Sequence, residues 1–381
     1  MKNPAANIHE LTSKLGDIGV VLGTRPEIIK LAGVITELGT RARVIHTGQH
    51  WDDSTAGQFF QDLGIGAPDI VLPHAQGGPR GAQIATGISE LTAHFSANPL
   101  SAVIVQGDTN STSVGAQSAN YAGVPLIHVD AGLRSHDRNM PEEINRLVVG
   151  ALSDVHCAAS KENAANLLRE GVDPDRIIIT GNTVIESTLR AQSQAKGTER
   201  ANLSKSTRTI GYILATIRRP ENTDSPQSLE RILRALAAAP LPVVFTMHPQ
   251  TQAAIRAHHL EPLTSGFEIL TGVGHAGFLD LAAHATLIVS DSGGLQEEVT
   301  VLKKRLLVIR RSTERPESIE AGFAKLVTPE HDISQAIHDE LLHPGRAHSL
   351  ASVASPYGAG NASNIIAFIA RNLAAAHPQL N

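Results

Sequence analysis

At 381 residues, with 41% hydrophobic and 18% charged, the chain is too long for one ordinary core and suits two domains of similar size. A net charge of −5 with both signs interspersed lacks the basic excess of a nucleic-acid or membrane-surface protein, and no apolar run approaches the roughly 20 residues of a membrane helix. The single cysteine, Cys157 in SDVHCAAS, rules out an internal disulfide and fits a reducing compartment.

The opening MKNPAANIHELTSKLGD has no apolar stretch of signal-peptide length, and a cytoplasmic location is expected. Short β-branched runs then alternate with helix-length segments, predicting strands at 18–22, 42–46, 101–106, 124–129 and 176–180. Continuous apolar strands spaced in this way form parallel sheets covered on both faces. The polar stretch 191–208 has the composition of a linker or exposed connection. A second set of strands follows at 208–214, 242–247, 286–290 and 305–309, with Ala-rich helical segments such as 228–239 between them. The predicted fold class is α/β, two doubly wound Rossmann-like domains with a cleft between them, the first over 1–185 and the second over 186–358. The segment 359–381 carries a last amphipathic helix at 362–376, whose apolar face either domain can bury; packing back on the N-terminal domain is the expected arrangement.

Glycine turns with phosphate- or sugar-handling groups sit at the ends of these strands, where ligands bind in open α/β sheets. GTRPE follows the first strand, with Arg25 at the loop and Lys30 further along the helix; QGDTNST carries Asp108, and HVDAGLRS carries Asp130. MPEEINR places Glu142 after a proline, and SDSGGLQEE offers Ser292 and the adjacent Gly293 and Gly294 to an anion, with Glu298 about a turn further on. Each has a plain alternative: a tight turn with a solvated arginine, or an ordinary helix carboxylate. Three acids over one sheet edge are costly to hold together unless a cation or a shared proton separates them, which suits acid and base roles, with a metal site as the rival. His50 and His248 both end strands and read first as structural histidines. Cys157 reads as core, with a catalytic thiol as its alternative.

Taken in order, GTRPEIIKL, HTGQHWDD, QGDTNST, HVDAGLRS, MPEEINR, GNTVIES, RPENTD, MHPQT, SDSGGLQEE, TERPES and SPYGAGNAS resemble the non-hydrolysing UDP-N-acetylglucosamine 2-epimerases over nearly the whole chain. The resemblance implies the two-domain glycosyltransferase-B-like architecture, interconversion of UDP-GlcNAc and UDP-ManNAc, no metal or redox cofactor, a UDP-sugar partner and a homodimer. It further implies that Arg25, Ser292, Gly293 and Gly294 hold the diphosphate and Glu298 the ribose. Asp108, Asp130 and Glu142 stand at the acid/base positions, Lys30 at that of an active-site lysine, and His248 and Arg315 on the ligand side. Two positions depart from the family pattern: Asp130 replaces a glutamate, and Arg218 in TIRRPEN replaces a histidine near the phosphates. Arg218 can neutralise a diphosphate but cannot exchange a proton. A glycosyltransferase of the same architecture, a hydrolase or enzyme of another UDP-sugar, and a sugar-nucleotide-binding paralogue without activity are the alternatives. The family's regulatory site for a second UDP-GlcNAc uses the TGQH loop, matched by Gln49 and His50.

Overall fold

The computed structural model describes residues 16–49, 60–61, 63–73, 79–194, 197–343, 345 and 349–376. The chain sorts into two compact units, one running to Ser187 and resuming at Tyr357, the other spanning Thr188–Pro356.

The N-terminal unit is built on β1 (Ile18–Leu22), β2 (Ala42–His46), β3 (Ile70–Val71), β4 (Ala102–Gln106), β5 (Leu126–Ala131), β6 (Val155–Ala158) and β7 (Ile177–Ile179). They lie in the order β3-β2-β1-β4-β5-β6-β7, every pairing parallel. β1 and β4 are buried at every residue, which is why they read as unbroken apolar runs. Strand order reverses between β1 and β4, so the loops after them flank the crevice where such sheets bind ligands. The helix Arg25–Leu38 starts at a Thr24 cap followed by a proline and turns Ile28, Leu31, Ala32, Val34, Ile35 and Leu38 inward at helical spacing. Against it the helix Ala362–Ala376 buries Ala362, Ile366, Ala367, Ala370 and Ala374 in the same core. The chain returns to this unit through a close crossing: Asn182 N–H donates to the Tyr357 carbonyl at 2.8 Å. Gly358 has φ +106°, and a Cβ there would lie 3.1 Å from Gly181 Cα.

The C-terminal unit repeats the plan with β8 (Ile213–Thr216), β9 (Val243–Thr246), β10 (Glu268–Leu270), β11 (Leu287–Ser290), β12 (Leu306–Ile309) and β13 (Ala324–Val327), in the order β10-β9-β8-β11-β12-β13, all parallel. Its switch point lies between β8 and β11.

The α/β expectation stands, with local corrections. The stretch 191–208, read as a linker or exposed connection, is mostly exposed but helical: it continues the helix Val184–Gln194 and then forms the short helices Thr198–Ala201 and Lys205–Ile210, with Leu203 and Thr207 buried. Ser204 caps the last of these helices, its side chain accepting from Thr207 N. Residues 208–210, expected in a strand, end that last helix, and Gly211 at φ +93° stops it, so β8 begins only at Ile213. β5 runs two residues beyond its predicted end and therefore includes Asp130.

Candidate active site

In the N-terminal unit, Asp130 sits at φ +60°, where β5 slips register against β6 between Val129 and Ala131. This left-handed conformation costs a side-chain-bearing residue roughly 1–2 kcal/mol, least for Asn and Asp. Its carboxylate is buried, and Oδ2 accepts from Lys30 Nζ and Gln106 Nε2, each at 2.7 Å. Among the described residues, no donor reaches the buried Oδ1. A strained backbone holding a half-satisfied carboxylate is the kind of outlier that clusters at functional sites. β1 leads into the helix carrying Lys30, β4 ends at Gln106 and β5 carries Asp130, so the switch point itself assembles the three.

Asp108, two residues past β4, is gripped differently. Arg146 donates to its Oδ2 from Nε at 2.9 Å and from Nη2 at 2.6 Å, while Asn145 Nδ2 donates to its carbonyl at 2.8 Å. Arg146 also bridges to Glu143 at 2.7 Å. Burial pushes the Glu143 carboxyl up, but N–H groups of Ser135 and His136 and the Arg146 guanidinium hold it below its ordinary value. Glu142, half-buried in the first turn of the helix Pro141–Leu152, lies one turn before Arg146 and shares its face. The expected crowding of three acids is therefore met by two cations, Lys30 on Asp130 and Arg146 on Asp108.

The turn after β1 differs from its expected role. Glu27 is buried, and its Oε2 accepts from the N–H groups of Gly23 at 3.0 Å and Thr24 at 2.8 Å, so those donors are already engaged. Its Oε1 accepts from Thr109 and Thr112, tying the β1 loop to the β4 loop. Burial raises the Glu27 carboxyl above its ordinary value despite these bonds. Arg25, at the first helical position, is exposed. Gln49 accepts from Ser111 N at 3.0 Å and from its hydroxyl at 2.7 Å. His50 lies outside the described residues. Cys157 is fully buried and its thiol is pushed up to about 12, first by desolvation and then by Asp130, which suits a core residue.

In the C-terminal unit the glycine turn after β11 is framed from beneath. Buried Asp291 accepts from Arg218 N–H with both oxygens at 3.0 Å, from Arg219 N–H at 2.8 Å and from Asn222 Nδ2 at 3.0 Å, fixing the TIRRPEN loop to the start of the turn. The Arg218 side chain itself is exposed. Ser292 N–H donates to Ser290 Oγ at 3.0 Å. A Cβ on Gly293 would meet Arg315 Nη1 at 2.9 Å and Glu314 Oε1 at 3.1 Å, so glycine lets the turn lie close on that pair. Gly294 then caps the helix Leu295–Leu302. Arg315 is buried with its guanidinium engaged by Glu297 at 2.7 Å and by Glu314, which places it behind the turn as its support.

His248 caps the helix Pro249–Ala257, its Nδ1 accepting from Gln250 N–H at 3.3 Å, which leaves the proton of the neutral ring on Nε2. Partial burial, then the neighbouring Arg218, lowers its pKa. Glu298, in the first turn of Leu295–Leu302, accepts from His275 Nε2 at 2.8 Å. Burial alone would lower the His275 pKa, and the Glu298 carboxylate raises it above the ordinary value.

Several residues of this framework were not singled out from sequence, among them Glu27, Gln106, Arg146, His275 and Asp291. Thr24 to Glu27 has capping-box spacing, and Gln106, Arg146 and Asp291 lie inside quoted motifs, so those four carried a signal. His275 carried none, because its partner is 23 residues away on another helix.

Two doubly wound units, each with polar, glycine-bearing loops at its switch point, define the glycosyltransferase-B-like class of fold. A model of the UDP-N-acetylglucosamine 2-epimerase family matches residues 36–370, and the chain belongs to that family. It is 34% identical to a UDP-N-acetylglucosamine 2-epimerase of Methanococcus maripaludis, over 92% of this chain and 96% of the relative. The crystal structure of the Methanocaldococcus jannaschii UDP-GlcNAc 2-epimerase in complex with UDP-GlcNAc and UDP superposes with a TM-score of 0.81 at 32% identity, covering 93% of this chain and 99% of that one. A UDP-2,3-diacetamido-2,3-dideoxy-D-glucuronate 2-epimerase of Pseudomonas aeruginosa is 33% identical over 91% of this chain and 97% of its own.

Proposed function

We propose that the protein inverts C2 of a UDP-N-acetylhexosamine, converting UDP-GlcNAc to UDP-ManNAc, by eliminating and re-adding UDP. The C2 proton goes to a carboxylate, the C1–O bond breaks with its electron pair leaving on the β-phosphate of UDP, and a C1=C2 double bond forms. Re-addition of UDP at C1 with protonation of the opposite face of C2 completes the inversion, so proton and UDP alone balance the steps. In this reading Asp108, Asp130 and Glu142 move protons or stabilise positive charge near C1, and Lys30 holds Asp130 in place through their ion pair. Ser292, Gly293, Gly294, Arg25 and Arg218 hold the diphosphate, Glu298 takes the ribose, and His248 lies on the ligand side.

The observation that carries the reading is Asp130: one oxygen anchored by Lys30 and Gln106, the other buried and reached by no donor among the described residues, on a backbone held at positive φ. A base needs that free oxygen and that fixed aim. Incubation with UDP-GlcNAc in D2O, followed by NMR, is the test. Deuterium at C2 together with appearance of the manno epimer is expected; UDP-GlcNAc recovered unlabelled overturns the reading.

A second reading follows from Asp130 standing where the family has glutamate, together with the Pseudomonas relative. A carboxylate shorter by one methylene suits a differently substituted 2-acetamido sugar, and the same assay with the 2,3-diacetamido glucuronate nucleotide separates the two by kcat/KM. The reading also takes the enzyme to be a cytoplasmic homodimer, which light scattering and cell fractionation check; among the described residues no helix is long and apolar enough to cross a membrane.

A further inference from the structure

We propose that His275 is a positioning residue for the nucleotide, holding Glu298 in the orientation that accepts the two vicinal hydroxyls of a ribose and thereby setting the preference for UDP over 2′-deoxy-UDP. This rests on the reading of Glu298 as the ribose ligand. The pair joins two helices: His275 opens His275–His284 and donates from Nε2 to Glu298 Oε1 at 2.8 Å. Both side chains are largely buried, at 24% and 13% exposed. An ionised carboxylate has about four acceptor sites, and this contact consumes one of them. Among the described residues Oε2 receives no protein donor, which leaves a whole oxygen and part of the other for a ligand.

The first turn of the helix that opens at His275 packs against the helix Thr198–Ala201, where a Cβ on Gly277 would fall 2.3 Å from the carboxyl carbon of Glu199. A glutamate has three rotatable bonds, and a carboxylate free to turn accepts one hydroxyl at a time; fixing it beforehand lowers the ordering cost of the two-hydroxyl contact. A 2′-deoxyribose offers only one of those hydroxyls. The preference between the two nucleotides is therefore the quantity that the His275 contact controls, whereas a merely structural histidine would weaken both nucleotides alike.

Equilibrium binding of UDP and of 2′-deoxy-UDP by calorimetry tests this on the wild type, His275→Ala, His275→Gln and Glu298→Gln, with folding of each checked by circular dichroism. The ratio of the two dissociation constants is expected to fall roughly 5-fold in His275→Ala, the size of one lost hydrogen bond, and to recover in His275→Gln, whose amide N–H can reach the carboxylate. Should Glu298→Gln collapse the ratio while His275→Ala leaves it unchanged, the positioning role is overturned and the ribose reading survives. Should Glu298→Gln leave the ratio unchanged, both are overturned. His275→Gln also keeps the proposal open to refutation if the alanine variant does not fold: a ratio in His275→Gln as low as in Glu298→Gln counts against it.

Discussion

The acids of the N-terminal unit occupy unequal environments, and that inequality sets what each substitution does. Asp130→Asn keeps the shape but removes proton-transfer capacity and leaves Lys30 facing a neutral amide. Deuterium incorporation at C2 is expected to fall by at least about 100-fold, while UDP affinity stays within about 2-fold; exchange at the wild-type rate would demote Asp130 to a structural residue. Its importance was legible from the HVDAGLRS motif, but its positive φ and its lysine partner were not, because both depend on how β5 meets β6 and on a residue 100 positions away. At Arg218 the same limit applies. The sequence showed an arginine in a histidine's place, but not that its backbone is clamped by Asp291 while its side chain remains exposed. Arg218→Ala should therefore leave the loop intact and weaken UDP binding by roughly 1–3 kcal/mol. It should also raise the pKa of His248, since that arginine is the charged neighbour depressing it. Titration of the His248 Hε1 resonance checks the sign, and an unmoved midpoint would separate the two residues.

Among the elements, the strands built of unbroken apolar residues and the amphipathic helices were readable, and several short or charged strands were not. Strands such as IGVVL and AVIVQ announce themselves because every residue is buried, and the helix 362–376 because its apolar residues recur at helical spacing. β3, β10 and β13 are edge strands of two to four residues, and two of them carry charges, Glu268 and Lys325, so no pattern rises above the surrounding turns. β6 was read as buried core without being recognised as a strand, since VHCA is too short to distinguish from a helix segment. It pairs His156 directly with His128 of β5, both fully buried, and desolvation before any other cause lowers each pKa to about 4. His128 Nε2 donates to the Gly107 carbonyl at 2.8 Å, which fixes its neutral tautomer. An unfolded histidine titrates near 6.5, so between about pH 6.5 and 4 the unfolded chain binds more protons than the folded one. The stability these neutral rings confer is complete above that window and is lost as pH falls through it, by up to about 1.4 kcal/mol per pH unit for each histidine. Urea midpoints at pH 7 and pH 5 should show the drop, and His156→Gln should shrink it by about half; a midpoint independent of pH would mean that the rings can charge in place.

At the scale of the whole molecule, motif order alone was enough to read the family, because eleven short segments in sequence leave little room for chance even when each is weak. The last segment of the chain packs in the N-terminal core, as expected, and that has an energetic consequence. Ile366 is fully buried in a cluster shared with Leu31 and Ile35, which contains residues of the N-terminal unit and of 362–376 alone. The C-terminal unit has separate clusters around β8, β9, β11 and β12. Ile366→Ala removes three carbons from a packed interior and should cost about 2–5 kcal/mol. Because the cores are distinct, that cost belongs to the N-terminal unit even though the substitution lies beyond the C-terminal one in sequence. UDP at about 100 times its dissociation constant adds roughly 2.7 kcal/mol to whatever binds it, and most of the groups proposed to hold it belong to the C-terminal unit. Hydrogen exchange followed by mass spectrometry resolves the two effects by peptide. In Ile366→Ala, faster exchange is expected in β1, β4 and the helix Arg25–Leu38, with β8 and β11 unchanged, whereas added UDP should slow exchange around 216–222 and 290–298 in wild type and variant alike. Loss of the UDP protection in Ile366→Ala would show that the nucleotide depends on the N-terminal core for more than Arg25, and the division of labour between the units would have to be redrawn around that dependence.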